Sequence, residues 1–180
     1  MGLSLQSAAM SDQPRRNIEI KARCDDLIQA RERAEALGAK FAGVLNQIDT
    51  YFHVPHGRLK LRQINSDRTE LIWYRRPQAQ EARPSDYFVV PISDAATMLS
   101  ALTAALGVRG TVRKRRNLLL WKNVRIHMDQ VESLGTFIEL EAVVSESDDE
   151  NVSRARIDEL IRELAIEDLI AVSYSDLLGF

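Results

Sequence analysis

Charged or ionisable side chains recur at every second position in four short segments of this chain, at residues 19–21, 60–62, 125–129 and 139–141. Glutamates lie in the first and last of these segments, and lysine and arginine lie mainly between them. Paired carboxylates are ligands that Mg²⁺ and Mn²⁺ take, and these ions usually bind phosphates at the same time. The residue types and their spacing therefore predict a site for a divalent cation together with an anion that carries several charges.

Strand geometry decides which of these side chains can meet. Successive residues of a strand point to opposite faces, so every second residue shares a face. The expected polar faces carry Asn17, Glu19 and Lys21; Lys60 and Arg62; Arg113 and Arg115; Arg125, His127 and Asp129; and Phe137, Glu139 and Glu141. Alternation then turns Lys114 and Arg116 outward. Arginine is the commoner cation on the expected inner faces, which suits bidentate recognition of phosphate.

The same periodicity predicts the elements that position these faces. We expect strands at residues 17–23, 40–52, 58–65, 69–75, 87–91, 109–121, 124–132 and 135–144. We expect helices from Asp25 or Asp26 to Gly38, from Ser93 to Leu106, at 152–165 and at 174–178, and a loop at 77–84. Few segments follow a strand–helix–strand rhythm, which favours an antiparallel sheet. A sheet of about eight strands tends to curl or to close.

The direction of the charged faces separates two interpretations. An antiparallel sheet commonly turns its charges to solvent, and alternation alone favours that arrangement. The sorting of glutamates from lysines and arginines favours the reverse, a closed sheet whose lumen is a charged tunnel. Cations that face one another at low dielectric repel strongly, so such a tunnel needs an anion. A polyphosphate chain, with several charges in a line, fits a long basic channel.

The composition fits one globular domain. Of the 180 residues, 45% are hydrophobic and 28% are charged, and the formal net charge is -2. The longest apolar run is too short to span a bilayer. The single cysteine, Cys24, excludes an internal disulfide and is consistent with a cytoplasmic protein. We expect residues 1–15 to form a flexible leader and residues 16–180 to form the domain.

Several motifs in a fixed order resemble the CYTH superfamily, which contains the class IV adenylyl cyclases and thiamine triphosphatases and is also called the triphosphate tunnel metalloenzymes. That family opens with Glu-x-Glu-x-Lys, which residues 17–21 resemble. The other matching blocks are residues 47–52, 59–62, 74–77, 113–116 and 127–141. The likeness extends over about residues 16–178, and the order and spacing of the motifs are more specific than any one of them.

The resemblance implies an α+β fold, with an eight-stranded antiparallel closed β-barrel and flanking helices, and a metal-dependent triphosphate ligand. It makes Glu19, Glu139 and Glu141 the ligands of Mg²⁺ or Mn²⁺. The phosphate-binding residues would be Lys21, Lys60, Arg62, Arg75, Arg113 and Arg115, to which we add Arg125. The catalytic residues would be Glu19, Lys21, Asp129 and Arg115.

Two of these positions need comment. Asp129 resembles a conserved acid of the family, which would orient a basic neighbour or the metal's water. Asn17 departs from the family, because it stands where the first glutamate is expected. An amide is a neutral and weaker ligand for a hard cation, so we expect one of the two metal sites of the family to be altered in this chain.

Several activities stay open on the sequence alone. The leading hypothesis is a metal-dependent hydrolase of inorganic or organic linear triphosphates, and the alternative is a class IV adenylyl cyclase that forms cyclic AMP and pyrophosphate. Asn17 prompts a second alternative, a non-catalytic binder of polyphosphate or nucleotide. A nucleic-acid module ranks last, because a DNA reader has no need for paired inward glutamates. The expected partner is a small triphosphate (tripolyphosphate, ATP or thiamine triphosphate), with no nucleic acid and no membrane, bound by a monomer or homodimer.

Overall fold

Eight strands close into an antiparallel β-barrel in the computed structural model, which describes residues 14–77 and 81–180. The strands are β1 (Arg15–Arg23), β2 (Lys40–Phe52), β3 (Arg58–Ile64), β4 (Arg68–Arg75), β5 (Arg83–Ile92), β6 (Val108–Trp121), β7 (Val124–Val131) and β8 (Gly135–Val143). Their order around the barrel is β1-β5-β4-β3-β2-β6-β7-β8. The expected α+β fold with a closed eight-stranded barrel and flanking helices is confirmed.

The helices are α1 (Leu27–Ala36), α2 (Ala95–Leu106), α3 (Glu150–Glu163) and α4 (Tyr174–Leu177). The first three begin after an aspartate whose carboxylate accepts a hydrogen bond from a backbone N–H three residues later, at Asp26, Asp94 and Asp149. The expected cap at Ser93 and the expected start at residue 152 are therefore wrong by one and two residues. Within the described part of the chain, no helix is long and apolar enough to cross a membrane.

β5 begins at Arg83, four residues before the expected strand at 87–91. The expected loop at 77–84 is wrong at its end, because Arg83 and Pro84 already pair with β1, and residues 78–80 lie outside the described residues. β5 pairs with β1 through its first half and with β4 through its second, and this change of partner closes the barrel. β1 itself starts at Arg15, opposite Tyr87, whereas residues 1–13 of the expected leader lie outside the described residues.

The main hydrophobic core lies outside the barrel, between its wall and two helices. Ile18, Leu119 and Leu140 are fully buried on the outer face, in one cluster with residues of α1 and α3 such as Ala34 and Leu160. Burying an isoleucine or leucine side chain stabilises the fold by about 1.5–3 kcal/mol. Because these apolar faces pack under the helices, the alternate polar faces of the same strands are turned into the lumen.

The C-terminal segment packs across one end of the barrel. The ring of Tyr174 meets Phe137 of β8 edge-on at 5.0 Å between centroids, and the ring of Phe180 meets Tyr51 of β2 at 6.0 Å. A Cβ atom at Gly110 of β6 would stand 2.5 Å from the Phe180 ring, so any larger residue here would displace that ring. These contacts place the C-terminal segment over the end of the barrel at which β2 ends.

Candidate functional site: a charged tunnel

A cavity of about 390 Å³ lies inside the barrel and is lined by side chains from all eight strands. Among the described residues, nine lysines and arginines and five aspartates and glutamates line it, an excess of four positive charges when all are ionised. The cations are Arg15, Lys21, Lys60, Arg62, Arg68, Arg76, Lys114, Arg116 and Arg125. The acids are Glu19, Asp49, Glu70, Glu139 and Glu141. The charged faces of the strands therefore meet inside an enclosed space.

Asp49 fixes two of these cations on the neighbouring strand. Its carboxylate accepts hydrogen bonds from Lys60 Nζ at 2.9 Å and from Arg62 Nε and Nη2 at 2.7 Å each. Burial opposes ionisation of this carboxyl, but Arg62 and Lys60 hold the pKa of Asp49 well below its usual value. Asp49 is thus a buried anion that holds the guanidinium of Arg62 in one orientation at the lumen.

Asp129 has the same relation to Arg116. This fully buried carboxylate accepts hydrogen bonds from Arg116 Nε at 2.6 Å, from Arg116 Nη2 at 2.7 Å and from the Tyr174 hydroxyl at 2.8 Å. Lys114 Nζ lies 3.6 Å away. Asp129 therefore stands behind two tunnel cations, the placement expected of a residue that orients basic neighbours.

The crowding of cations lowers the pKa of two tunnel lysines. Burial, reinforced by the nearby charge of Arg116, lowers the pKa of Lys114 to about 7. Burial and the charge of Arg62 lower the pKa of Lys60 to about 8. An anion that enters the tunnel favours the charged form of both lysines, so its binding takes up protons near neutral pH.

Three glutamates lie on adjacent strands of the same tunnel. In the β1–β8 ladder Glu19 is directly opposite Glu141, and Lys21 is directly opposite Glu139. Glu139 accepts hydrogen bonds from Lys21 Nζ and Arg116 Nη2, each at 2.7 Å. Although burial opposes its ionisation, Lys21 and the other neighbouring donors hold the pKa of Glu139 well below its usual value.

The donor type of this trio suits a hard divalent cation, because carboxylate oxygens are the ligands that Mg²⁺ and Mn²⁺ prefer. Each carboxylate already bonds to the chain itself: Glu19 pairs with Arg76, and Glu141 accepts a hydrogen bond from Asn17. Over residues 14–77 and 81–180, no three acidic, histidine or cysteine side chains converge closely enough to enclose a metal ion as they stand. A metal ion can therefore bind here only if Glu19 and Glu141 give up these bonds and coordinate the metal instead. The two residues lie directly opposite each other in the β1–β8 ladder.

Comparison with known proteins agrees with this geometry. The sequence model of the CYTH domain family matches residues 15–174. The chain belongs to the CYTH domain family. A curated relative from Methanocaldococcus jannaschii, named "Putative adenylate cyclase", is 27% identical over 172 residues, which are 90% of this chain and 98% of the relative. CYTH proteins are triphosphatases or adenylyl cyclases that are generally metal-dependent and act on small triphosphates such as ATP.

Solved structures share the fold of this CYTH domain. A Pyrococcus horikoshii protein is 25% identical and covers 89% of this chain and 98% of its own, with a TM-score of 0.80. A Hippeastrum protein is 17% identical and covers 91% of this chain and 94% of its own, with a TM-score of 0.64. At 17% identity, the likeness to the Hippeastrum protein shows a shared fold alone.

Asn17 is integrated into the carboxylate trio of this CYTH domain. Its side-chain NH₂ donates to Glu141, and its carbonyl oxygen accepts a hydrogen bond from the Tyr87 hydroxyl at 3.2 Å. Asn17 is 2% exposed and lines the cavity. A glutamate here would place a third negative charge beside Glu19 and Glu141, whereas the amide supplies a donor that Glu141 can use.

The structure places most of the expected site residues together, but three of them lie elsewhere. Glu19, Lys21, Lys60, Arg62, Arg125, Glu139 and Glu141 line the cavity, and Asp129 lies directly behind it. The expected inward orientation of Arg113 and Arg115 is wrong: both are exposed, and Lys114 and Arg116 face inward in their place. The reason is register, because Arg116 pairs with the inward Asp129, and paired residues share a face.

Arg75 is also outside the tunnel. Tyr74 lines the cavity, so alternation turns Arg75 to the outer face, where it is exposed. Arg76 takes the inward position after the end of β4, where it pairs with Glu19. In this CYTH domain the basic residue of the Tyr74 block that reaches the lumen is therefore the second arginine.

Several lumen residues went unrecognised in the sequence. Gln47, Asp49 and Tyr51 line the tunnel from β2 at every second position, and this alternation of polar residues is a signal that could have found them. Tyr174 carries no such signal, because it reaches Asp129 from a helix 45 residues further along the chain.

Proposed function

We propose that this protein is a metal-dependent hydrolase of linear triphosphates, which bind inside the barrel. The observation that carries the proposal is that four cations face a common enclosed cavity, namely Lys60, Arg62, Lys114 and Arg116. Glu19, Glu139 and Glu141 line the same cavity. The lining cations outnumber the lining acids by four, and an anion with several charges in a line compensates this excess. Membership of the CYTH family supports the same substrate class.

The glutamates are the proposed metal ligands. Glu19, Glu139 and Glu141 would hold Mg²⁺ or Mn²⁺, and the metal ion would neutralise negative charge on the phosphate oxygens. Lys21 and Arg116 keep Glu139 ionised through their hydrogen bonds, so that it is an anion at neutral pH.

The cations of the chain bind and orient the substrate. Arg62 and Arg116 are held by buried aspartates, so their guanidinium groups are fixed before the phosphate arrives, and no reorganisation is needed as charge develops on the leaving group. Lys114, which a bound phosphate keeps charged, can also donate a hydrogen bond or a proton to a leaving phosphate oxygen. Closure of one barrel end by the C-terminal segment limits access of bulk water from that side.

A class IV adenylyl cyclase is the second candidate, and the name of the relative that is 27% identical favours it. The cyclase would use the same cations to hold ATP while a ribose hydroxyl displaces pyrophosphate. We rank hydrolysis first. The Hippeastrum protein bears the name of an adenylyl cyclase and is described as having a dominant triphosphatase activity, so such a name does not decide the reaction.

The partner in this proposal is a small triphosphate, bound by a cytoplasmic monomer or homodimer. A cavity of about 390 Å³ holds a small molecule and cannot admit a nucleic-acid duplex, so the inward cations are not a duplex-binding surface.

The test is incubation of the purified protein with Mg²⁺ or Mn²⁺ and tripolyphosphate, ATP or thiamine triphosphate, with phosphate and cyclic AMP measured separately. Phosphate release is expected, and it should fall strongly in Glu141→Gln but not in the control Glu132→Gln, whose side chain is 68% exposed. Cyclic AMP from ATP would reverse the order of the two candidates. Tight binding without turnover under either metal would leave only a triphosphate-binding protein.

A further inference from the structure

Two lysines of the tunnel lie over one tyrosine ring. Lys21 Nζ is 3.9 Å from the centroid of the Tyr174 ring, and Lys114 Nζ is 5.0 Å from the same centroid. An ammonium group within about 6 Å of a tyrosine ring is attracted to the negative face of the ring, and more strongly where water is excluded. None of the three residues is more than 7% exposed, so the attraction acts away from water.

Tyr174 joins two strands that do not touch each other. Lys21 lies on β1 and Lys114 lies on β6, and β7 and β8 separate these strands in the barrel. The Tyr174 hydroxyl donates to Asp129 of β7 at 2.8 Å, and its ring meets Phe137 of β8 edge-on at 5.0 Å between centroids. The two intervening strands therefore fix the ring, and the ring contacts a lysine from each of the two outer strands.

A ring attracts a cation without neutralising it. A carboxylate cancels the charge of the cation that it binds, whereas a tyrosine ring acts through its quadrupole and carries no net charge. Lys114 Nζ is 3.6 Å from Asp129, too far for a hydrogen bond, so its charge stays available to an anion. Lys60 lies over two further rings, with Nζ 5.4 Å from the centroid of Tyr74 and 5.5 Å from that of Tyr51. Among the described residues, every lysine that lines the cavity therefore lies over a tyrosine ring.

We propose that Tyr174 is a positioning residue of the triphosphate site, whose ring holds the ammonium groups of Lys21 and Lys114 together so that one phosphate group meets both. The inference rests on the proposed function and adds to it a residue that acts through the two lysines. Two ammonium groups that share a ring repel each other, and the attraction of the ring offsets this repulsion until an anion arrives. Burial and the charge of Arg116 lower the pKa of Lys114 to about 7, so without the ring this lysine would lose its proton at a lower pH.

The test changes the electron density of the ring and keeps its shape. Tyr174→Phe is compared with variants that carry a difluorinated or a pentafluorinated phenylalanine at the same position, because fluorine withdraws electron density from the ring face. Tripolyphosphate binding is measured by calorimetry at pH 7 in EDTA, where no turnover competes with binding. Tyr174→Phe keeps the ring and should bind within about threefold of the wild type, whereas the pentafluorinated variant should bind about tenfold more weakly than Tyr174→Phe.

The matched control is the same fluorination at Phe88. This side chain is 38% exposed and packs against Trp73, and alternation turns it away from the cavity that Tyr87 and Val89 line. Its fluorination should leave the affinity for tripolyphosphate unchanged. Urea unfolding of every variant is measured in parallel, because a merely structural role of the Tyr174 ring would change the free energy of unfolding and not the affinity of the folded protein.

Each other outcome has a definite meaning. Equal affinities across the fluorinated series at position 174 would overturn the positioning role and leave the proposed function intact. Absence of tripolyphosphate binding by the wild-type protein would overturn the proposed function itself. If the pentafluorinated variant does not fold, as judged by circular dichroism, the difluorinated variant decides the question and should bind about threefold more weakly than Tyr174→Phe.

Discussion

Replacement of Lys114 by methionine should weaken tripolyphosphate binding, whereas the same replacement of its neighbour Arg115 should not. Lys114 is 7% exposed and lines the tunnel, whereas Arg115 is exposed on the outer face of β6. Methionine keeps the length and the apolar stem of lysine without its charge. The pair of variants therefore separates position inside the barrel from the loss of one positive charge in the same strand.

The size of the effect follows from the burial of Lys114. A hydrogen bond to a charged group contributes about 1.5–3 kcal/mol, which is roughly 10- to 150-fold in affinity. With its pKa lowered to about 7, Lys114 is almost fully charged at pH 6 and about one-tenth charged at pH 8. A bound phosphate keeps this lysine charged, so its contribution alone should weaken binding about tenfold as the pH rises from 6 to 8.

The assay is calorimetric titration with tripolyphosphate at pH 6, 7 and 8 in two buffers of different ionisation enthalpy. The wild-type protein should take up protons on binding at pH 8, and Lys114→Met should reduce that uptake and flatten the pH dependence. Arg115→Met should match the wild type in both. Equal weakening by the two variants, or an unchanged affinity of Lys114→Met at pH 6, would refute the assignment of the inward face of β6.

Three further substitutions test neighbouring contacts. Asp129→Asn removes the bidentate counter-ion of the buried Arg116, which keeps only its hydrogen bond to Glu139, and should lower the free energy of unfolding by about 3–5 kcal/mol in urea at pH 7. Because folding lowers the pKa of Asp129, this deficit should shrink as the pH falls below about 4, and a constant deficit would contradict the ion pair. Tyr174→Phe removes one donor to Asp129 and should cost about 1 kcal/mol in the same assay; no change would exclude that hydrogen bond. Asn17→Glu adds a carboxylate beside Glu141, so it should lower the melting temperature in EDTA and increase the stabilisation by Mn²⁺. A rise in melting temperature with Mn²⁺ equal to that of the wild type would count against a metal ion beside Glu141.

The polar faces of β1, β3 and β8 could be predicted from the sequence because their alternation is clean. Glu19 and Lys21 alternate with isoleucines that pack under the helices, so only one orientation of β1 buries its apolar side. In β6 this signal fails. Residues 113–116 are all basic, so either face could be inward, and the choice depends on pairing with Asp129 of β7.

Contacts made by closure of the barrel and by the C-terminus were beyond prediction for a different reason. The inward position of Arg76 depends on how the chain leaves β4, and its partner Glu19 lies on β1, which is not adjacent to β4 in the barrel. Tyr174 reaches Asp129 only because α4 packs across the barrel end. Such pairings depend on tertiary geometry that local periodicity does not encode.

The central claim is that the cations inside the barrel bind a triphosphate. A crystal structure of the protein soaked with tripolyphosphate and Mn²⁺ tests it most directly. The phosphate oxygens should lie within hydrogen-bonding distance of Arg62, Lys114 and Arg116, with Mn²⁺ against Glu139 and Glu141. Tripolyphosphate bound instead to the outer face of β6, on Arg113 and Arg115, with the lumen free of anion and metal, would contradict the account.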